Sequence, residues 1–353
     1  MAAPKIGLLL AWAKERIPFD LEELKAFTNE PVPNHLKQWW FALGGTPAIL
    51  FGIQIVTGVF LLFYYVPTPS DAYDSITRIT YDVRFGWYIR SIHKWASELM
   101  IITMILHMTR VYFTGAYRKP REINWMIGVI MFFITLGLGF TGYSLVYDQL
   151  SYWAAMVGTE IAESTPLIGP LAADFIRGGS EVGPNTLTRL YIFHIVIFPG
   201  ALAGLVVLHI IFVRLQGITE YEFDEDKKKL EHKTFPLFPD HVLTELIIAV
   251  LILYILSLMA IIVPAGLGER ANPLITPEHI KPEWYFYASF KWLKLTNVYL
   301  GILGQIAFAT AIFFWPFIDY LLIKWFPKKG MSIKIGFLGF TFYLALTVWE
   351  AMT

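Results

Sequence analysis

The sequence has 353 residues, of which 56% are hydrophobic and only 16% charged, whereas soluble domains carry about 25% charged residues, so a single water-soluble domain is excluded. Lysine plus arginine and aspartate plus glutamate each total 28, and this balance argues against a nucleic-acid partner, which would need a basic surface. Because the chain has no cysteine, it cannot form disulfides, thiolate metal sites or iron–sulfur clusters, or hold haem through thioether bonds.

The first predicted element covers residues 1–36. Apolar and charged side chains are mixed there, and charged residues 14–16 follow the short apolar stretch 6–13, where a signal peptide would have small residues. This pattern predicts an amphipathic helix on the membrane surface, interrupted at Pro18. A disordered leader is the alternative.

Seven further segments are mainly apolar, and each is long enough to cross a ~30 Å hydrocarbon core, which takes about 20 residues. Two of them meet these criteria less well, because one contains the charged residues Lys94 and Glu98 and the last one is short. The predicted spans 1 to 7 are residues 43–63, 88–114, 124–147, 190–213, 244–266, 298–322 and 334–351. The sequence therefore predicts an all-α, polytopic protein with seven transmembrane helices.

The distribution of lysine and arginine predicts the orientation in the membrane. Loops on the side of the N-terminus hold 18 of these residues and the opposite loops hold 9, so the N-terminus is expected in the cytoplasm, which we call the inner side. The long connections 148–189 and 267–297 then lie outside. Since they contain many apolar groups, we expect them to build a site there. The charged stretch 218–240 is predicted to be an inner linker.

Four of the eight histidines lie inside predicted spans: His93 and His107 in span 2, and His194 and His209 in span 4. At a rise of ~1.5 Å and a rotation of ~100° per residue, the two histidines on the same helix are about 21 to 22 Å apart along its axis. His93 and His107 share nearly one face, and a kink or one-residue bulge at Pro199 can absorb the mismatch in span 4. Since the two spans run parallel, His93 should meet His194 near the outer face, and His107 should meet His209 near the inner face.

Two such pairs are what two six-coordinate haems in a four-helix bundle require. Four histidines that only form interhelical hydrogen bonds are the alternative. Glycines at the same fourteen-residue spacing could make room for a porphyrin, or could serve helix packing alone. These glycines are Gly44 and Gly58 in span 1, and Gly128 and Gly142 in span 3.

Charged residues flank the histidines on span 2. Arg90 and Arg110 lie near the two ends of the stack, where they would bind haem propionates or anchor the helix by snorkelling. Glu98 lies about 140° around the helix from His93. We therefore predict that it pairs with Lys94 at i, i+4 and does not face the haems.

Four short motifs resemble cytochrome b of the Rieske/cytochrome b complexes: SIHKW at 91–95, HMTRVYFTG at 107–115, TGYSL at 141–145 and TLTR at 186–189. Within that family, residues 37–217 resemble the dihaem four-helix bundle of cytochrome b6. Residues 241–353, which contain PEWYF at 282–286, are similar to the three-helix subunit IV of the b6f complex.

The resemblance implies a function. Quinol would be oxidised at an outer site between span 3 and the two outer loops, with one electron passing to a Rieske iron–sulfur protein and then to a c-type cytochrome or a plastocyanin-like acceptor. The other electron would cross two non-covalently held b haems to quinone at an inner site, which adds to a proton gradient. The resemblance also implies a homodimer in the cytoplasmic membrane of a prokaryote.

Site residues follow from the matching motifs. The resemblance implies that Glu283 accepts a quinol proton, with Tyr285 and Tyr143 at the same site. No inner quinone motif is clear, and Glu245 with His241 is our candidate there. The cysteine that tethers an extra haem in cytochrome b6 aligns with Ala42, so no covalently bound haem is expected.

Two other classes remain open. A dihaem quinone-anchor subunit of another respiratory oxidoreductase would need the histidines but not residues 241–353. A structural or transport membrane protein would need neither haem nor quinone.

Overall fold

The structure is a computed structural model that describes residues 29, 31–33, 43–217, 234–278, 280–327 and 330–353. The predicted surface helix at 1–36 lies almost wholly outside the described residues, as do residues 218–233 of the predicted charged linker and Ala42. The described residues form two compact units. The smaller takes in residues up to Thr46 and those from Thr234 to Leu253, and the larger takes in Pro47 to Gly217 and Tyr254 to Thr353.

The regular secondary structure of the described residues is helical apart from one small sheet. The helices of the first half are α1 Gly45–Leu62, α2 Ala72–Tyr81, α3 Gly86–Phe113, α4 Glu122–Ser144, α5 Gln149–Glu163, α6 Gly169–Arg177, α7 Pro184–Ile192 and α8 Phe198–Gln216. Those of the second half are α9 Val242–Ile262, α10 Tyr287–Leu295, α11 Val298–Phe313, α12 Trp315–Trp325 and α13 Met331–Met352. In the smaller unit, β1 Pro31–Pro33 pairs antiparallel with β2 Thr234–Pro236, a strand pair that the all-α prediction lacks.

Five described helical segments are long and apolar enough to cross a membrane: Gly45–Leu62, Glu122–Ser144, Pro184–Gln216, Leu237–Ile262 and Met331–Met352. The pair α11 and α12 would be a sixth, although it is bent by 75°. Helix α3 has 28 residues, ample length for a span at ~1.5 Å per residue, but its internal charges lower its hydropathy. The prediction of a polytopic helical membrane protein is confirmed, and the count of seven spans stays a prediction.

The bend corrects one predicted span. Residues 298–322 were predicted as one helix, but α11 ends at Phe313 and α12 begins at Trp315. Pro316 lies in the first turn of α12, where its missing N–H and its ring break the hydrogen-bond ladder of a continuous helix. The segment was predicted as one span because its composition is apolar throughout.

Span 4 contains the predicted bulge. A π-helical segment, Phe193–Ile197, joins α7 to α8. A π turn inserts one extra residue into the helical repeat, and Pro199 follows at once, where no N–H is available to restore the α pattern. Since His194 lies inside this segment, the bulge adjusts its direction relative to His209.

The two long connections, one after α4 and one after α9, are joined to each other at the end of α4. Tyr147 adopts a left-handed backbone with φ +55°, which ends the helix short of the predicted residue 147. Asp148 then caps α5, where Oδ1 accepts from the Ser151 N–H at 2.9 Å. Its Oδ2 accepts from the Gly268 N–H at 3.2 Å. The connection after α4 is thereby held against the connection after α9.

Candidate functional site

The outer histidine pair comes from α3 and the π-helical segment. The imidazole centroids of His93 and His194 lie 6.2 Å apart, with the ring planes at 75°. Metal–imidazole bonds are ~2.0–2.1 Å long, which puts two rings that share one metal roughly 6 Å apart between centroids. The pair therefore fits a single metal ion held between two imidazoles.

Hydrogen bonds orient both outer rings. Nδ1 of His93 lies 2.8 Å from Thr57 Oγ1, and Nδ1 of His194 lies 3.2 Å from Thr141 Oγ1. Each threonine hydroxyl donates its proton to a backbone carbonyl of its own helix, so its oxygen is left to accept a proton from Nδ1. With Nδ1 protonated, Nε2 is the nitrogen that can bind a metal.

The inner histidine pair has nearly the same geometry. The centroids of His107 and His209 lie 6.5 Å apart, with the planes at 76°. Nδ1 of His107 is buried and has no hydrogen-bond partner among the described residues. Within the described ranges, no group of three or more His, Asp or Glu side chains could hold a metal, so these pairs lack the third protein ligand that zinc would take.

Three of the four predicted glycines face the histidines. A Cβ at Gly142 would lie 2.6 Å from His194 Cε1, and one at Gly58 would lie 3.3 Å from His93 Cε1. A Cβ at Gly128 would be 4.0 Å from His209 Cε1. Gly142 and Gly58 therefore leave the space that the outer rings occupy. Gly44 precedes α1 in the smaller unit, and its role stays a prediction.

Arg90 is buried and holds backbone groups of the connection after α9. Its Nη1 donates to the Ala265 carbonyl at 2.8 Å and its Nη2 donates to the Gly266 carbonyl at 2.6 Å. These bonds engage much of the guanidinium that we expected to bind a propionate. Arg110 lies in the last turn of α3, three residues after His107, and its binding of a propionate stays a prediction.

Two neighbouring cavities lie in the larger unit. The smaller, of about 460 Å³, is lined by His93, His194 and the glycines beside them. The larger, of about 810 Å³, is mainly apolar and lies among α3, α4, α5, α11, α13 and the segment around residue 283. Tyr143, Glu283 and Tyr285 line both cavities. The structure thus brings the three predicted quinol-site residues together, at the boundary between the cavities.

The electrostatic setting of this boundary favours a proton acceptor. Burial raises the pKa of Glu283, and the negative charges of Glu98 and Asp148 raise it further against the opposing effect of Lys94. Burial also raises the pKa of Tyr285 well above its usual value. Tyr285 therefore stays a protonated hydroxyl, while Glu283 can take up a proton closer to neutral pH than an exposed carboxyl can.

Sequence reasoning missed two residues at this boundary. A Cβ at Gly139 would lie 2.7 Å from the Tyr285 hydroxyl, so the glycine admits Tyr285 against α4. Glu98 pairs with Lys94 at 3.6 Å as predicted, but it also lines the smaller cavity and accepts a hydrogen bond from Trp284 Nε1. No local pattern signals either contact, because each partner is more than a hundred residues away in the chain.

The inner quinone candidates lie in the smaller unit. His241 Nε2 is 3.9 Å from Glu245 Oε1, so the two side chains are neighbours one turn apart. A Cβ at Gly45 would collide with the Glu245 carboxylate, which packs against the start of α1. Their role in quinone reduction stays a prediction.

Comparison with known proteins identifies the family. Residues 27–217 match the family model described as cytochrome b/b6/petB, and residues 270–352 match the one described as cytochrome b(C-terminal)/b6/petD. The chain is 46% identical to cytochrome b6 of Heliobacterium modesticaldum over 209 residues, which cover 59% of this chain and 98% of the relative.

A second relative covers both halves. It is a cytochrome bc complex cytochrome b subunit of Chlorobaculum thiosulfatiphilum, 36% identical over 320 residues, or 89% of this chain and 74% of the relative. Among solved structures, a chain of a hyperthermophilic respiratory Complex III matches with a TM-score of 0.78 and 27% identity over 97% of this chain and 99% of that one. The chain belongs to the cytochrome b family, as the cytochrome b subunit of a bc/b6f-type complex.

Proposed function

We propose that this chain is the catalytic subunit of a quinol–cytochrome c reductase that oxidises quinol at the boundary between the two cavities. The observation that carries this proposal is that Tyr143, Glu283 and Tyr285 line both the apolar cavity and the cavity around His93 and His194. A quinol in the apolar cavity would contact side chains that also line the cavity around the outer histidine pair.

Two b haems would be held without covalent bonds, the outer by His93 and His194 and the inner by His107 and His209. Each haem supplies one-electron transfer when bound. The fit of both ring pairs to a shared metal supports this assignment. Glycines 58, 128 and 142 leave room beside the rings. Arg90 and Arg110 would bind propionates, and Arg90 also donates to loop carbonyls.

At the quinol site, Glu283 accepts a proton from the substrate hydroxyl, and the Tyr143 and Tyr285 hydroxyls hydrogen-bond to the substrate oxygens. The apolar lining holds the ring and tail and excludes water. Oxidation of one quinol releases two protons and two electrons. One electron leaves to the Rieske protein and on to a c-type cytochrome, and the other passes toward the inner face. Two such turnovers supply the two electrons that reduce one quinone there, and His241 and Glu245 supply the protons.

The proposal includes an arrangement of the helices in the membrane. Seven spans result if α3 and the bent pair α11 and α12 each cross the membrane, with α1, α3, α4 and the α7–α8 segment forming the dihaem bundle. The N-terminus is cytoplasmic, in the membrane of a prokaryote, and the subunit works in a homodimeric complex.

The test is an optical spectrum and an activity assay of the purified complex. Reduced bis-imidazole haem gives sharp bands, and quinol-dependent reduction of cytochrome c should depend on Glu283. A spectrum without haem would favour a structural or transport protein. Two haems without quinol–cytochrome c activity would favour the quinone-anchor alternative, which the match of residues 270–352 argues against.

A further inference from the structure

Glu98 is a buried carboxylate that the mechanism above does not use. It lies on α3, about 7.5 Å along the helix axis from His93 toward the His107 end, and only 8% of its surface is exposed. An ionisable side chain inside a transmembrane helix is costly and usually marks a function. Its partners should therefore indicate what it does.

The two carboxylate oxygens have different partners. Oε1 lies 3.6 Å from Lys94 Nζ one turn earlier on α3. Oε2 accepts a hydrogen bond from the indole N–H of Trp284. The carboxylate therefore bridges the ammonium group of Lys94 and the indole N–H of Trp284, an arrangement suited to holding the Trp284 side chain in place.

Trp284 lies in the chain between two proposed quinol-site residues. Glu283 precedes it and Tyr285 follows it, on the 3₁₀ turn Trp284–Phe286 that leads into α10. The described residues between 263 and 283 form no regular helix, so side-chain contacts must fix the position of this turn. On its other side, the Tyr343 hydroxyl donates to the Tyr285 carbonyl at 3.2 Å.

The bond to Glu98 is well suited to that task. The indole N–H is a donor only, and a hydrogen bond to a carboxylate is roughly twice as strong as one between neutral groups. It joins α3, which carries His93, to the turn that carries Glu283 and Tyr285. The bond thereby sets the boundary between the two cavities.

We propose that Glu98 is a positioning residue of the quinol-oxidation site, which acts by accepting the Trp284 indole hydrogen bond and so fixes the turn that carries Glu283 and Tyr285. This inference rests on the proposed function. It assigns to Glu98 no contact with quinol and no share in proton transfer.

The test is a double-mutant cycle in the purified complex, with duroquinol as electron donor and cytochrome c as acceptor. Glu98→Leu removes the acceptor at similar volume, and Trp284→Phe removes the donor. We expect each to lower kcat/KM by roughly ten- to a hundredfold, as expected for a hydrogen bond to a charged group, with haem content unchanged. Because both delete the same bond, the double variant should be no worse than either single one.

Two further variants separate the hydrogen bond from the charge. Glu98→Gln keeps an oxygen that can accept the indole proton, so it should recover most of the activity lost in Glu98→Leu. Lys94→Met removes the ion pair but leaves the indole bond, so its KM for duroquinol should stay within about twofold of the wild type. If Glu98→Leu loses haem, Glu98→Gln and Trp284→Phe still test the proposal, because the first should keep most of the activity and the second should lose it.

Additive losses in Glu98→Leu and Trp284→Phe would overturn the proposal, as would a Glu98→Gln variant as impaired as Glu98→Leu. Wild-type kinetics in Glu98→Leu would also overturn it. These outcomes leave the proposed function intact, because they require an active wild-type complex. A wild-type complex with no haem and no quinol oxidation would instead refute the proposed function.

Discussion

The outer and inner histidine pairs have nearly the same ring geometry but different surroundings. Centroid separations of 6.2 Å and 6.5 Å accompany almost equal interplanar angles. Threonine hydroxyls orient both outer rings, whereas Nδ1 of His107 in the inner pair is buried without a hydrogen-bond partner among the described residues. Only the outer pair lines a cavity that also contains Glu283. Helical spacing therefore sets where the two rings of each pair meet, and the neighbouring side chains give the two pairs different surroundings.

The largest expected effect comes from replacing one histidine of a pair. His107→Leu takes away a ligand of the inner site and should abolish the inner haem while the outer one stays, because the two pairs share no residue. The haem-to-protein ratio should fall from two to one, and a redox titration should show one potential. Both haems retained at unchanged potentials would contradict the assignment. His35→Leu serves as a control for loss of a histidine in general.

The next effect tests Glu283, the carboxylate at the boundary between the two cavities. Glu283→Gln removes the proton acceptor and should slow quinol oxidation by roughly 10²-fold or more, the usual contribution of a general base, with both haems kept. Since Glu283 works deprotonated, wild-type kcat/KM should rise with pH through its raised pKa and then level off. The variant should lack that rise.

Steady-state kinetics between pH 5 and 9 would measure this difference. Glu278→Gln is the matched control, because Glu278 is an exposed carboxylate in the same connection. A Glu283→Gln variant with wild-type rates across the pH range would remove this residue from the mechanism.

A smaller effect tests the threonines that distinguish the outer pair. Thr141→Val removes the acceptor of the His194 Nδ1–H, which makes the imidazole a weaker base toward a ferric ion. The outer potential should therefore rise, by at most about 60 mV, which is tenfold in a one-electron equilibrium, and the inner potential should not move. Thr135→Val, which lines the same cavity but bonds only its own helix, should leave both potentials unchanged in a spectroelectrochemical titration.

The smallest expected effect is an absence of signal. If both haems depend on histidine pairs alone, acid–acetone extraction should leave no haem on the chain, because it has no cysteine for a thioether bond. Denaturing electrophoresis with haem staining would then show no band at 40.4 kDa. A stained band at that mass would show a covalent attachment and contradict the non-covalent assignment.

Much of the candidate site could be predicted because it depends on local periodicity. The fourteen-residue step from His93 to His107 and the bulge near Pro199 follow from helix geometry, and the structure has the rings paired and the π-helical segment at that place. The i, i+4 pair of Lys94 and Glu98 is local in the same way.

The bend between α11 and α12 was missed although Pro316 is visible in the sequence, because proline is tolerated inside membrane helices when neighbours satisfy the freed backbone groups. The pairing of β1 with β2 was missed because each strand has three residues and carries little pattern. The Arg90 contacts were missed because carbonyls of a distant connection have no signature in the sequence.

The sequence by itself determined the membrane character, the four histidines and their pairing, and the motifs that identify the family, because hydropathy and helical spacing depend on residues close together in the chain. Only the tertiary structure decided which side chains stand between the cavities and that Glu98 holds Trp284 across 186 residues. The physical reason is that such contacts form when distant segments pack together, and neither segment alone specifies its partner.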